Sequence, residues 1–134
     1  MESISIEQRE IVIDTLQQIR VSISNLLLWN ENIDDMNQLL KTPGGMQDLA
    51  GNCMLIMAIT EGFKNIDKRT DGKLLALRPE IPWHQVFGLR NRIAHGYFDI
   101  DIDVISSIIK EDMPALLVAT DYLLNHLDNT AVTL

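Results

Sequence analysis

Apolar residues recur at three- and four-residue steps through most of the chain, a spacing that is typical of amphipathic α-helices. The first such stretch predicts a helix from Ser5 to about Asn30, and Ser5 with Gln8 offers an N-capping box at its start. One face of this helix should enter the core. The apolar positions of that face are Ile6, Ile13, Leu16, Ile19, Ile23, Leu26 and Leu27.

A second long helix is predicted from about Met46 to Lys68, after a segment that contains at most one short helix. Pro43-Gly44-Gly45 predicts a break ahead of it. The middle of this second helix is apolar nearly all round, so we expect it at the centre of a bundle or in a subunit interface. One side of this helix is predicted to carry Leu49, Cys53, Ile56, Met57, Thr60, Phe63 and Lys64.

A third helix is predicted from about Pro82 through His95, because Pro82 suits a first helical turn and Gly96 a C-terminal stop. Its core face should carry three residues at helical spacing, and Trp83 should pack at its start. The three core residues are Val86, Leu89 and Ile93.

The last third of the chain predicts two more helices. Asp101 or Asp103 is the expected cap of the first, which ends near Asp112, and Pro114 should start or kink the second. Residues 129–134 are expected to fray. The sum is an all-α, antiparallel bundle of four to five helices in a single domain that spans residues 1–134.

The composition fits a soluble globular protein, with 46% hydrophobic and 22% charged residues. No apolar run is long enough to span a membrane, and the first ten residues do not have the pattern of a secretory signal. Cys53 is the one cysteine, so we expect a buried thiol rather than an internal disulfide or a metal ligand. These features predict a protein of the reducing cytoplasm.

The net charge of −8 argues against a protein that binds nucleic acid over its whole surface. The charge is unevenly distributed, however. Residues 64–92 contain seven positive and three negative side chains, a net +4, whereas the rest has four positive and sixteen negative, a net −12. Helix ends and loops collect charges in any protein, so this asymmetry alone decides nothing.

The stretch "GLRNRIAHGYFDID", residues 88–101, crowds polar side chains at a predicted helix end. Asn91 lies four residues before His95 and can hydrogen-bond its ring, which fixes the tautomer. The helix dipole favours a cationic His95, while nearby arginine opposes it, so the ring can titrate near neutrality. Arg90 is long enough to reach the same pocket, and Gly96 lets Tyr97 fold back towards it.

Such a set suits metal-independent cleavage of RNA. A histidine can take the proton from a 2′-hydroxyl or return one to the leaving oxygen, and an arginine can stabilise charge on the phosphate. His84 and His126 are predicted to lie far from His95, so two chains that share one cleft would ease two-step chemistry. The alternative is a solvated helix C-terminus with a partly buried histidine.

The string "RNRIAH" resembles the arginine-to-histidine signature of HEPN-superfamily domains, with Arg90, Asn91 and His95 at its positions. The longer string "PEIPWHQVFGLRNRIAHGYFDID" is similar to the HepT-like branch, in which Tyr97 belongs to the motif. "MAITEGFKNI" resembles that branch's second core helix, where a glutamate, here Glu61, is usual, and "SSIIKEDMPALLVATDYL" resembles its closing helices.

The resemblance implies a HEPN-like helical bundle that dimerises with two motifs facing one cleft. It implies a metal-independent ribonuclease without a cofactor, acting on RNA and not DNA, as the toxin of a prokaryotic toxin–antitoxin pair. The implied partner is a nucleotidyltransferase-fold antitoxin that uses ATP and silences the toxin by transferring AMP to Tyr97. Glu61 could orient Arg90, and Arg92 could contact phosphate, although both also fit ordinary exposed charges.

A second hypothesis is a non-catalytic helical module that binds a nucleotidyltransferase partner, and a nucleotide, through the same basic pocket. The acidic total charge favours this module slightly, because RNA must pass many carboxylates. The intact set of motif residues favours the ribonuclease. The four are Arg90, Asn91, His95 and Tyr97.

Overall fold

The computed structural model describes residues 4–93 and 99–130, and the regular elements in this part of the chain are all helical. Three long helices and three short ones pack around one apolar core. They are α1 (Ile6–Trp29), α2 (Pro43–Arg69), α3 (Trp83–Phe87), α4 (Leu89–Ile93), α5 (Ile102–Ser107) and α6 (Met113–Thr130). Two 3-10 segments, Met36–Lys41 and Leu75–Leu77, and a π-helical turn, Ile108–Asp112, connect them.

Helix α1 begins where the capping pattern predicts, since the backbone N–H of Gln8 donates to Ser5 Oγ at 3.0 Å. Its buried stripe packs between α2 and α6 and consists of Val12, Leu16, Ile19, Ile23 and Leu26. The prediction that Ile6 faces the core is wrong, because Ile6 lies in the first turn, before the packed region, and is 67% exposed. Val12, absent from the predicted face, is fully buried.

Helix α2 begins three residues earlier than predicted, at Pro43. Pro43-Gly44-Gly45 is its first turn and not a break, because proline suits that position and Thr42 Oγ1 accepts from the N–H of Gly45 at 2.9 Å. Gly45 also lies directly against the backbone of Leu39, where no Cβ would fit. The glycine therefore permits the close approach between the 3-10 segment and α2.

The predicted third helix is two short helices, since the α-helix is interrupted at Gly88 between α3 and α4. Pro82 is the N-cap residue of α3 and not its first helical residue. The predicted core face is nevertheless confirmed, because Val86, Leu89 and Ile93 are all buried. Trp83 packs as predicted, since the centroid of its ring lies 5.0 Å from the centroid of the Phe63 ring.

After the undescribed residues 94–98, Asp101 caps α5 as predicted, with its carboxylate accepting from the N–H of Val104 at 3.2 Å. The helix then widens into the π-helical turn Ile108–Asp112 and continues as α6. Pro114 has no N–H to donate to the preceding turn, and a widened turn accommodates this loss. Pro114 was predicted to start or to kink the last helix. It is the second residue of α6, which begins at Met113 directly after the wide turn.

The predicted all-α antiparallel bundle is confirmed. Helix α1 runs antiparallel to α6, because Arg9 bonds the carbonyl of Leu127 near one end and Arg20 pairs with Asp121 further along. The interrupted third helix raises the number of α-helices among the described residues above the predicted four to five. Helix α2 is not buried on every side, since Met54 in its middle is 64% exposed.

Three sequence-based expectations remain predictions. These are the single domain over 1–134, the fraying of 129–134 and the dimer. The last helix reaches Thr130, and residues 131–134 lie outside the described part. None of the helices among the described residues is long and apolar enough to cross a membrane.

Candidate active site

Helix α4 presents the first half of the motif to solvent. Its two apolar ends, Leu89 and Ile93, are buried at 2% and 3% exposure and fix the helix against the core. Arg90, Asn91 and Arg92, which lie between them, are all exposed. The alternation follows from helical geometry, because residues four apart share a face and those between point elsewhere.

His95 and Tyr97 lie outside the described residues, so their position relative to Arg90 stays a prediction. The two flanks of their segment are nevertheless joined. The N–H of Asp101 donates to the carbonyl of Ile93 at 2.9 Å. Ile93 and Asp101, the residues on either side of this part of the motif, are therefore adjacent at the end of α4.

An open cleft of about 480 Å³ lies at this point. Among the described residues of its lining, Arg92 is the positive side chain, and three carboxylates are present. These described residues are Asn37, Arg92, Ile93, Asp99, Ile100, Asp101, Ile102 and Asp103. An acidic wall of this kind repels a phosphate and attracts a cation.

A second cleft, of about 290 Å³, lies between α3–α4 and the π-helical turn, and Arg92 also borders it. Burial raises the pKa of Asp112 in this cleft, the positive charge of Arg92 opposes that rise, and Glu111 adds to it. Arg92 is thus electrostatically coupled to Asp112. In contrast, no hydrogen bond or ion pair joins Arg90 to another residue in the described ranges 4–93 and 99–130.

Glu61 lies on an exposed part of α2, with its carboxylate 3.7 Å from Lys64 Nζ. This pair belongs to one helix and is well solvated. The suggested role of Glu61 in orienting Arg90 remains a prediction. Cys53 is buried as expected, and burial raises the pKa of its thiol.

Sequence reasoning did not identify Asn37 or Asp112 as neighbours of the motif. Asn37 lies in the 3-10 segment, far from the motif in the chain, and no spacing rule connects the two. Asp112 was expected only as a helix end, whereas its position in the π-helical turn brings it close to Arg92. Among residues 4–93 and 99–130, no group of three His, Cys, Asp or Glu side chains is arranged to hold a metal ion.

Comparison with known proteins decides the family. A family model described as "Ribonuclease HepT-like" matches residues 29–123, which is most of the chain and includes the whole motif. The chain belongs to the HepT-like ribonuclease family. This membership confirms the resemblance inferred from the motif strings.

Two curated relatives are similar to this HepT-like chain over shorter stretches. "Probable ribonuclease HepT" of Thermococcus cleftensis is 42% identical over 58 residues, which cover 43% of this chain and 49% of the relative. "Putative RNase MJ1380" of Methanocaldococcus jannaschii is 45% identical over 38 residues, or 28% of this chain and 35% of the relative. The chain thus matches half or less of the length of these relatives. No solved structure matches it.

Proposed function

We propose that this HepT-like protein is a metal-independent endoribonuclease that cleaves RNA in a cleft shared by two copies of the chain. The observation that carries the proposal is the arrangement of α4. Its buried ends hold Arg90 and Asn91 in solvent, immediately before His95 in the sequence. Family membership and the two relatives, whose names describe a ribonuclease and an RNase, support the same activity.

In this proposal His95 is the acid–base group. It takes the proton of a 2′-hydroxyl, whose oxygen attacks the adjacent phosphorus, and a protonated imidazole returns a proton to the departing 5′-oxygen. Arg90 stabilises the negative charge that builds on the phosphate oxygens, which its exposed position allows. Asn91, four residues before His95, hydrogen-bonds the ring and fixes its tautomer.

The two proton transfers are the reason for proposing a homodimer. One chain supplies one motif histidine, whereas a cleft between two chains supplies two. Arg92 has a lesser role here, because Asp112 and the acidic wall compete with phosphate for it. Glu61 is a candidate for orienting Arg90 only if dimer formation or RNA binding draws it away from Lys64.

The proposal extends to regulation as a cytoplasmic toxin. A nucleotidyltransferase-fold antitoxin would transfer AMP from ATP to the hydroxyl of Tyr97, releasing pyrophosphate and leaving an anionic group beside Arg90 and His95. That group would occupy the place of the substrate phosphate. Coexpression with such an enzyme, followed by mass spectrometry of tryptic peptides, tests this step. Added AMP mass on the Tyr97 peptide supports it, and added mass elsewhere, or none, contradicts it.

A non-catalytic module is the second candidate, and one observation favours it. The net charge of −8 and the carboxylates of Asp99, Asp101 and Asp103 around the cleft oppose the approach of RNA. Incubation of the purified protein with single-stranded RNA in EDTA separates the two candidates. Cleavage supports the ribonuclease. Intact RNA, together with harmless expression in cells, supports a binding module of a nucleotidyltransferase complex.

A further inference from the structure

The two tryptophans of the chain have opposite environments. The indole N–H of Trp83 donates to the carbonyls of Leu75 and Arg78 at 2.9 and 3.1 Å. Trp29, at the C-terminal end of α1, is instead 52% exposed. A half-exposed indole offers a partner both an apolar ring face and an N–H donor.

Trp29 borders an open cleft of about 550 Å³ between the end of α1 and the start of α2, remote in sequence from the HepT-like motif. Gly51 lies against the ring, since a Cβ there would make ordinary van der Waals contact with Trp29 Cζ3 at 3.7 Å. Behind it, the amides of Asn30 and Asn52 exchange hydrogen bonds of 3.0 and 2.9 Å and are almost fully buried. The wall of the cleft is therefore rigid.

The charges around this cleft favour a cation. Asp48 contributes an exposed carboxylate to the lining. Helix α1 ends here with no basic residue in its last turn, so the negative end of its dipole is not compensated. Glu31 follows two residues after Trp29. Asp34 and Asp35, further along, have Lys110 and Lys41 as neighbours, so their charges are partly compensated. An anionic ligand such as a phosphate would meet repulsion from Asp48 and from the C-terminal end of α1.

We propose that the Trp29 cleft binds an arginine side chain of a protein partner. A guanidinium is flat and stacks on an indole face, while its N–H groups form paired hydrogen bonds to a carboxylate, here that of Asp48. A lysine ammonium cannot stack in this way and holds its water more strongly. The inference is independent of ribonuclease activity and would stand if the proposed function failed.

Nuclear magnetic resonance of the ¹⁵N-labelled full chain tests the proposal with a built-in reference. The spectrum contains two indole N–H signals, and Trp29→Phe identifies the one that belongs to Trp29. The probe is the blocked tripeptide Gly-Arg-Gly. Increasing amounts should shift the Trp29 signal and leave unchanged the signal of Trp83, whose N–H is bonded to the carbonyls of Leu75 and Arg78. The matching Gly-Lys-Gly peptide should bind several-fold more weakly.

Asp48→Asn should weaken binding of the arginine peptide by about two- to five-fold, the range of one exposed ion pair. The matched control is Glu10→Gln, which removes a charge from the other end of α1 and should leave binding unchanged. Equal binding of the two peptides, or no effect of Asp48→Asn, overturns the proposal. Shifts of Trp29 with nucleoside monophosphates but not with the arginine peptide would also overturn it, and would identify a base-stacking site instead.

Discussion

The carbonyl of Ile93 and the N–H of Asp101 form a 2.9 Å hydrogen bond that ties together the two sides of the motif segment. Ile93 is the last residue of α4 and is buried, and Asp101 is the N-cap of α5. The segment that contains His95 and Tyr97 therefore starts from one anchored residue and ends at another. Arg90, one turn before Ile93 in the same short helix, stays exposed beside this hydrogen bond.

Asp101→Ala should weaken the attachment of the motif segment to the start of α5. The variant loses the carboxylate that accepts from the N–H of Val104, and loss of an N-cap costs about 1 kcal/mol in the free energy of unfolding. Urea denaturation measures the change, and RNA cleavage should fall with it. Asp101→Asn should retain most of the stability and most of the RNA cleavage, because asparagine caps a helix equally well. Asp103→Ala, in the first turn of α5, is the control, because it leaves the Asp101 cap in place; a loss as large as that of Asp101→Ala would contradict the role of the cap.

Adjacent glycines at the start of α2 should respond in opposite directions to alanine. Gly45→Ala places a methyl group against the backbone of Leu39, which cannot move aside as a side chain can, so we expect a loss of about 1–3 kcal/mol. Gly44 has open space, and alanine there should be neutral or gain up to about 1 kcal/mol through helix propensity. Thermal or urea unfolding of both variants measures this. Equal effects would contradict a helical first turn at Pro43–Gly45.

Asp112 should make stability depend on pH. Its pKa in the folded protein lies above the ordinary value of 3.8 because of burial, so the folded state holds its proton more tightly than the unfolded chain. This contribution to stability therefore grows as pH falls through the raised pKa and is lost at neutral pH. Asp112→Asn should be more stable than wild type at pH 7, with the gap closing below about pH 4 in urea unfolding.

The control for that experiment is Asp103→Asn, which removes an exposed carboxylate from the first turn of α5. It should not gain stability at neutral pH, because a negative charge is favourable at a helix N-terminus. A gain equal to that of Asp112→Asn would attribute the effect to net charge rather than to burial of Asp112.

The long elements could be predicted because their signals are local. Apolar spacing and a serine cap place α1 within a residue of its observed bounds, and Asp101 is recognisable as a cap. Errors arose where tertiary contacts override local preference. Gly45 belongs to the first turn of α2, where its missing Cβ lets the backbone of Leu39 approach, and the exposed Ile6 is apolar in sequence but precedes the packed part of α1.

The candidate site could be predicted only in part. The motif names Arg90 and Asn91, and the structure places both in solvent. The motif sequence does not reveal that Arg92 and Asp112 border the same cleft. That proximity depends on how the π-helical turn packs beside α4. The difference between the two arginines thus follows from the fold, and it is the reason for proposing Arg90 rather than Arg92 as the partner of an RNA phosphate.

The most direct test of the central claim is the rate of RNA cleavage in EDTA by four proteins: wild type, Arg90→Ala, His95→Ala and Arg92→Ala. Removing the acid–base group should slow cleavage by about 10²–10⁴-fold, and removing the charge stabiliser by about 10²–10³-fold. Arg92→Ala, which removes the same charge two residues away, should retain most of the activity. Cleavage that survives in Arg90→Ala and His95→Ala, or that requires a metal ion, would contradict the account.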